Sequence, residues 1–355
     1  MSVEKNPRKL DKVVYVLGAG FSAPLGLPVM SNFLEKSKDM FALEPNRYGS
    51  FANVFKTIDR MYKSKGYYNA DLFNIEEILS ILEMSEQLGH EDEKSSFIQY
   101  IIDVIEHFTP KLEFHNLTGG WTAKIFGQGR EAEGKLNRYG YFVGSLLNLA
   151  MSRNSEGDFF CNRSGDANRQ AYYSVITLNY DLILENSFSY LHQYFGADKR
   201  IGFSQQTYQD HRDTYLAKLH GSADTGVIVP PTWNKGLNEQ IRPAWRLAYN
   251  LLTEANHIRI IGYSLPIADA YIKYLLKAAI VHCEHLKSLD ILCLDGDGSV
   301  EQRYNEFIIF PKKRFKNGSV WDYLVDNHSY WVNTNQQTTS IHLNGLEATH
   351  SKYFD

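Results

Sequence analysis

The sequence predicts an α/β protein, a doubly wound parallel sheet with helices on both faces and an all-helical insertion lobe. Three observations carry that prediction. Short aliphatic, β-branched runs alternate with helical stretches near the start of the chain and again after residue 172, the alternation that builds parallel sheets. From residue 36 to 172 the apolar spacing is helical, and no strand stands out. Each aliphatic run also ends on a glycine or a polar residue, and such sheets bind ligands beyond the carboxyl ends of their strands.

The first strand is Val13-Val14-Tyr15-Val16-Leu17, and it breaks into Gly18-Ala19-Gly20-Phe21-Ser22-Ala23-Pro24 before a helix from Ser31 to Phe41. A strand feeding a glycine-rich turn and a helix is a Rossmann-like diphosphate site: Gly18 for the tight turn, Gly20 for close backbone approach, and free N–H groups and the helix dipole for the negative charge. The acidic second strand that accompanies this turn in dehydrogenases is absent, because Asn32 to Phe41 is polar with a helical period. Helical spacing then runs from Asp71 to Phe108 through Ile75, Ile78, Leu79 and Leu82, and later through Phe97, Ile101 and Ile105. Another helix is expected from Tyr139 to Met151.

Four further strands follow: Tyr173–Leu178, Tyr215–Leu219, His257–Ile261 and Leu289–Leu294, with helices at Leu182–Phe195 and Ala268–Leu286. This predicts a sheet of about six strands. Its core comprises residues 1–35 and 173–299, with the insertion lobe at 36–172 leaving directly after the phosphate turn and covering the pocket. Residues 300–355 read as a C-terminal appendage for packing or oligomer contact. The residues placed at the carboxyl edge are Gly18 to Ser22, Asn179, Asp181, His220, Ser264 and Asp295.

Composition narrows the classes. Of 355 residues, 43% are hydrophobic and 22% charged, which is globular. A net charge of −4 points away from nucleic acid, which wants a basic surface. The one dense basic cluster, Lys312-Lys313-Arg314-Phe315-Lys316, reads as a solvated turn. Cys161, Cys283 and Cys293 make neither a disulfide framework nor a CxxC pair. With neither a signal peptide nor a membrane-spanning run, the chain is expected to be cytoplasmic. Two other signals are set aside. Gly129 to Leu136 approaches a P-loop but puts Leu136 where a Ser/Thr is needed, and reads as a surface loop. Asp295 to Glu306 has calcium-loop offsets but Val300 at the glycine position, so no metal is expected. His90, His107 and His115 lack ligand spacing.

The ordered set Gly18-Ala19-Gly20-Phe21-Ser22, Thr177-Leu178-Asn179-Tyr180-Asp181, Leu219-His220-Gly221-Ser222 and Gly262-Tyr263-Ser264-Leu265-Pro266 followed by Asp269 resembles the sirtuin-like domains, the silent-information-regulator class. The likeness is greatest to the prokaryotic NAD-degrading branch associated with anti-phage defence. It implies that NAD is the substrate, with Gly18, Ala19, Gly20, Phe21 and Ser22 cradling its diphosphate. By the same resemblance Asn179 positions water beside the nicotinamide ribose, Asp181 holds the nicotinamide end and His220 is the general base. Gly221 and Gly262 would shape the NAD site, and Ser264, Asp269 and Asp295 would address the adenosine half. The chain departs from the deacylases of that class: it lacks their two CxxC zinc pairs, has Leu178 in place of a glutamine, and carries Pro28-Val29-Met30-Ser31 where they have P-D-F-R.

The resemblance implies an NAD+ glycohydrolase yielding nicotinamide and ADP-ribose, or a cyclised product, that depletes NAD in defence. A catalytically quiet nucleotide-sensing subunit and a zinc-free deacylase are the alternatives. Because uncontrolled hydrolysis would harm the host, control through homo-oligomer formation or a HerA-type ring ATPase partner is also expected.

Overall fold

Asp11–Leu17 (β1) is buried on both sides over its last five residues, as a near-continuous apolar run in a parallel sheet should be. The other strands, in chain order, are Leu149–Arg153 (β2), Phe159–Arg163 (β3), Ala171–Thr177 (β4), Phe203–Ser204 (β5), Thr214–Lys218 (β6), Gly221–Ser222 (β7), Val227–Ile228 (β8), His257–Ile261 (β9), Ser288–Cys293 (β10), Lys313–Asn317 (β11) and Ser340–His342 (β12). The computed structural model describes residues 10–64, 67, 71–90, 92–110, 131–192, 201–210, 212–229, 239–267, 269–334 and 340–355.

Seven strands form the main sheet in the order β11-β10-β9-β1-β4-β6-β5, and every pairing in it is parallel. The chain steps from β1 outward to β4 and β6, then returns to β9 on the other side of β1. The reversal of winding therefore lies at β1, where such sheets bind ligands. Register sharpens the point: Leu17 pairs with Thr177 and with Ile261, Thr177 with Lys218, and Ile261 with Leu292. The residues following five strands thus emerge side by side.

Alternation along β1 divides the core. Val13, Tyr15 and Leu17 join one cluster with the Glu131–Leu146 helix and the C-terminal elements, whereas Val14 and Val16 join another with the Arg242–Thr253 and Ala270–Val281 helices. A third cluster belongs to the helices Phe33–Leu43, Phe51–Ser64, Ile75–Gln87 and Lys94–Phe108, and includes Tyr180, Ala223 and Ile228 from the core.

The expected α/β architecture holds, with four corrections. The insertion is not all helical. The Glu131–Leu146 helix stops short of Met151 because Asn148 turns to a φ of 51°, and β2 and β3 then form an antiparallel hairpin. The other neighbour of β2 is β12, far away in sequence and invisible to local periodicity. Residues 300–355 are no detachable appendage, since they supply β11, β12 and the buried Val320, Tyr323, Leu324, Ile341 and Leu346 of the first cluster. Lys313 to Lys316 is not a turn but the edge strand β11, where charge discourages further strand pairing. Glu131 to Leu136 is helix and not loop; Gly129, Arg130 and His115 lie outside the described residues. Among the described residues no helix is long and apolar enough to cross a membrane.

Candidate active site

A cavity of about 880 Å³ opens beyond the carboxyl ends of β1, β4, β6, β9 and β10, within the range of small-molecule sites, roughly 300–1,000 Å³. Its floor includes Ala19, Gly20, Ser22, Asn179, Asp181, His220, Gly262 and Ser264, and its cover includes Phe33, Ile75, Glu76 and Ile105 from the helical cluster. The insertion therefore roofs the site, as expected from its exit point.

The glycine turn is built against the loop after β9. Gly18 N–H donates to Ile261 O (3.1 Å) and Gly20 N–H to Gly262 O (2.9 Å). A Cβ on Gly18 would lie 2.6 Å from Tyr263 Cβ, and one on Gly20 would lie 2.8 Å from Gly262 O. These glycines are required by contact between two loops, and their N–H groups are spent there instead of remaining free for a diphosphate. Gly262 itself sits at φ +67°. Phe21 points into the core, edge-on to Tyr139 at 5.2 Å, so it anchors the turn and does not face the cavity. Gly221 opens the β7–β8 hairpin at φ +93°, a backbone role.

Asn179 is buried, and its Nδ2 donates to Gly18 O (3.0 Å) and Ser22 Oγ (3.1 Å). Gly18 O can only accept, which fixes the amide orientation. With both amide hydrogens committed, Asn179 offers its Oδ1, an acceptor. Ser22 Oγ–H donates to Asp181 Oδ2 (2.7 Å), while Asp181 Oδ1 accepts from Ile183 N–H (3.1 Å). Burial pushes the Asp181 carboxyl above the ordinary range, against the Ser22 hydrogen bond and the nearby Lys218. Asp181 thus caps a helix and holds Ser22, which holds Asn179.

His220 is 2% exposed. Its Nδ1 lies 3.1 Å from Glu76 Oε1 and its Nε2 3.8 Å from Asp269 Oδ2. Glu76 also accepts from Tyr180 Oη (3.2 Å), and Asp269 from Tyr263 Oη (2.7 Å). Burial first, and then these carboxylates, push both phenols well above their usual range, so both remain donors. An ionised Glu76 requires Nδ1 to carry the proton, leaving Nε2 the basic nitrogen of neutral His220. Two buried atoms here have no hydrogen-bond partner, His220 Nε2 and Asp269 Oδ1, although buried polar atoms are nearly always satisfied. Both residues line the cavity.

The cavity thus brings together Ala19, Gly20, Ser22, Asn179, Asp181, His220, Gly262, Ser264 and Asp269. Asp269 stands beside His220, its Oδ2 3.8 Å from Nε2. Asp295 is occupied elsewhere: its carboxylate accepts from Val300 N–H (3.2 Å) and Glu301 N–H (2.9 Å), capping the Ser299–Phe307 helix. Its neighbours Cys293 and Leu294 line the cavity instead. Sequence reading missed Glu76, whose signal was a carboxylate on the buried face of its helix, among Ile75, Ile78, Leu79 and Leu82. Among the described residues no group of three or more His, Cys, Asp or Glu could hold a metal ion, and all three cysteines are buried and free.

Residues 173–306 match the SIR2-like domain family. That segment holds Asn179, Asp181, His220, Gly262 and Asp269, while the glycine turn and Glu76 lie outside it. Among solved structures, a Sir2 protein with a p53 peptide and NAD+ is 11% identical, covering 91% of this chain and 94% of that one, with a TM-score of 0.37. Sir2Tm bound to a propionylated peptide is 12% identical with the same coverage and a TM-score of 0.36. No curated protein matches the chain by sequence.

Proposed function

We propose that the chain is an NAD+ glycohydrolase that releases nicotinamide and leaves ADP-ribose. The observation that carries this reading is the pair of unpartnered buried atoms, His220 Nε2 and Asp269 Oδ1, in residues that line one cavity with Asn179. A basic nitrogen and two acceptors suit a ligand rich in hydroxyls, such as a ribose and an attacking water.

The nicotinamide of NAD+ is a cationic leaving group, and its departure leaves an oxocarbenium-like sugar. Glu76, Asp181 and Asp269 line the cavity and favour such positive charge. Asn179 Oδ1 accepts a hydrogen bond from the incoming water, and His220 Nε2 takes its proton as the C–O bond forms. The resulting imidazolium lies between Glu76 and Asp269, which stabilise it. The apolar roof limits competing water. Loss of the deacylases' zinc pairs, together with a cavity of this volume roofed by the insertion, favours hydrolysis over acyl-peptide chemistry.

The biological setting follows from the sequence resemblance: an effector that depletes NAD in bacterial anti-phage defence. It would act in the cytoplasm, held in check by homo-oligomer assembly or by docking with a HerA-type ring ATPase. Purified protein incubated with NAD+, with the products resolved by chromatography, tests the activity. Nicotinamide with ADP-ribose or its cyclic form is the expected result; intact NAD+ at every protein concentration, with and without the ATPase, would overturn it.

A further inference from the structure

NAD+ carries a cationic nicotinamide ring at one end of the reacting sugar and a doubly negative diphosphate beyond the other. The cavity lining carries charge of both signs. Glu76 and Asp269 flank His220, and Asp181 supports Asn179 through Ser22. Lys135 is the one lysine or arginine among the described residues that line the cavity. The glycine turn answers a diphosphate poorly, because the Gly18 and Gly20 N–H groups already serve Ile261 and Gly262.

The position of Lys135 follows from its helix. Tyr139, one turn further on, donates its hydroxyl to Phe21 O at 2.5 Å and packs edge-on to the Phe21 ring. Residues four apart share a helix face, so Lys135 lies on the face that meets the Ala19–Ser22 turn, and it lines the same cavity as Ala19, Gly20 and Ser22. Its Nζ lies 6.0 Å from the centre of the Trp321 ring, and Trp321, near the start of the Val320–Thr334 helix, lines the same cavity. The Arg138 guanidinium lies 5.8 Å from that ring. A cation over an indole is held without being neutralised, which leaves Lys135 able to pair with an anion. Neither Lys135 nor Trp321 lies within the matched residues 173–306.

Resting on the dinucleotide reading above, we infer that Lys135 is the charge partner of the substrate's diphosphate, and that Trp321 is the platform holding its ammonium over the glycine turn. Lys135 is a positioning residue for the reaction: it exchanges no proton with the reacting sugar. It replaces backbone N–H groups that this chain has committed to loop packing.

Lys135→Ala, Lys135→Arg and Trp321→Ala provide the test, read by NAD+ kinetics and by direct titration with ADP-ribose, which carries the diphosphate but no scissile bond. Lys135→Ala raises KM for NAD+ and weakens ADP-ribose binding by about tenfold or more, the worth of a charge-assisted contact, with kcat within about twofold. The salt dependence of ADP-ribose affinity falls with it. Arginine restores most of the affinity, and Trp321→Ala gives a smaller loss of the same kind. Lys135 is exposed, so the thermal midpoint of Lys135→Ala stays at the wild-type value. ADP-ribose affinity equal in wild type and Lys135→Ala, or a wild-type protein that binds no ADP-ribose, overturns the inference. A protein that binds ADP-ribose through Lys135 yet leaves NAD+ intact sinks the hydrolase reading and sustains this one.

Discussion

Two buried histidines in this molecule keep similar company and do different things. His350, in the C-terminal Leu346–Phe354 helix, bonds Asp290 through Nε2 (2.9 Å) and Tyr323 through Nδ1 (3.4 Å). Asp290 also receives Ser288 and Arg314, while Arg259 holds Glu347 through two nitrogens and Tyr15 through one of them. Both ring nitrogens of His350 and both carboxylate oxygens of Asp290 and Glu347 are taken. Around His220 the ingredients are again a histidine, two carboxylates and two tyrosines, but Nε2 and one Asp269 oxygen are unmatched, in two residues that line the cavity. The closed network ties the last helix to the sheet; the open one is poised for a ligand. Residue type does not separate the two clusters. Each holds an unpartnered buried atom, but Arg259 Nε of the first lies away from the cavity, whereas His220 and Asp269 line it.

The largest effect expected from this contrast is on turnover. His220→Ala lowers kcat for NAD+ hydrolysis by about 10²–10⁴-fold, and Asn179→Ala by on the order of 10²-fold, with ADP-ribose affinity within a few-fold. Near-normal rates in both variants would erase the distinction drawn here. In the closed network the loss falls on stability instead. Glu347→Ala leaves the Arg259 guanidinium, 3% exposed, without its carboxylate and costs about 3 kcal/mol, read as a lower denaturation midpoint with undiminished kcat per folded molecule.

Acid probes the same network more gently. Burial holds His350 down at about 4, so between pH 6.5 and 4 the unfolded chain takes up a proton that the folded chain refuses. A depressed histidine therefore supplies stability that is complete above pH 6.5 and drains away as pH falls toward 4. Asp290, held below its usual range by His350, Arg314 and Ser288 against the cost of burial, adds a further loss below about pH 4. Melting curves across this range should fall monotonically with acid, and His350→Gln should flatten the upper part. The smallest effect is expected far from either cluster. Lys63→Ala breaks an exposed pair with Asp59 and should shift stability by less than about 0.5 kcal/mol.

Much of the fold was legible because each sheet strand carried its own signal. His257–Ile261 appears as read, and β1, β4, β6 and β10 fall within two residues of expectation at each end. What escaped had its cause elsewhere in the chain. The β2–β3 hairpin gains β12 as a third strand from far along the chain, and the charged β11 is a strand because β10 offers it a free edge.

The site divides along the same line. Sequence alone determined which residues leave the carboxyl edge, since strand ends are set by local apolar runs and glycine turns; that placed Ser22, Asn179, Asp181 and His220 together. Tertiary structure decided their roles. It brought Glu76 across from the insertion to orient His220, moved Asp269 to the other side of the same ring, and spent Asp295 on a helix cap. It also consumed the glycine N–H groups in loop packing and set Lys135 over the Trp321 ring at the cavity wall. A hydrogen bond depends on distance and on competing partners, and both arise only when segments far apart in the chain are packed against one another.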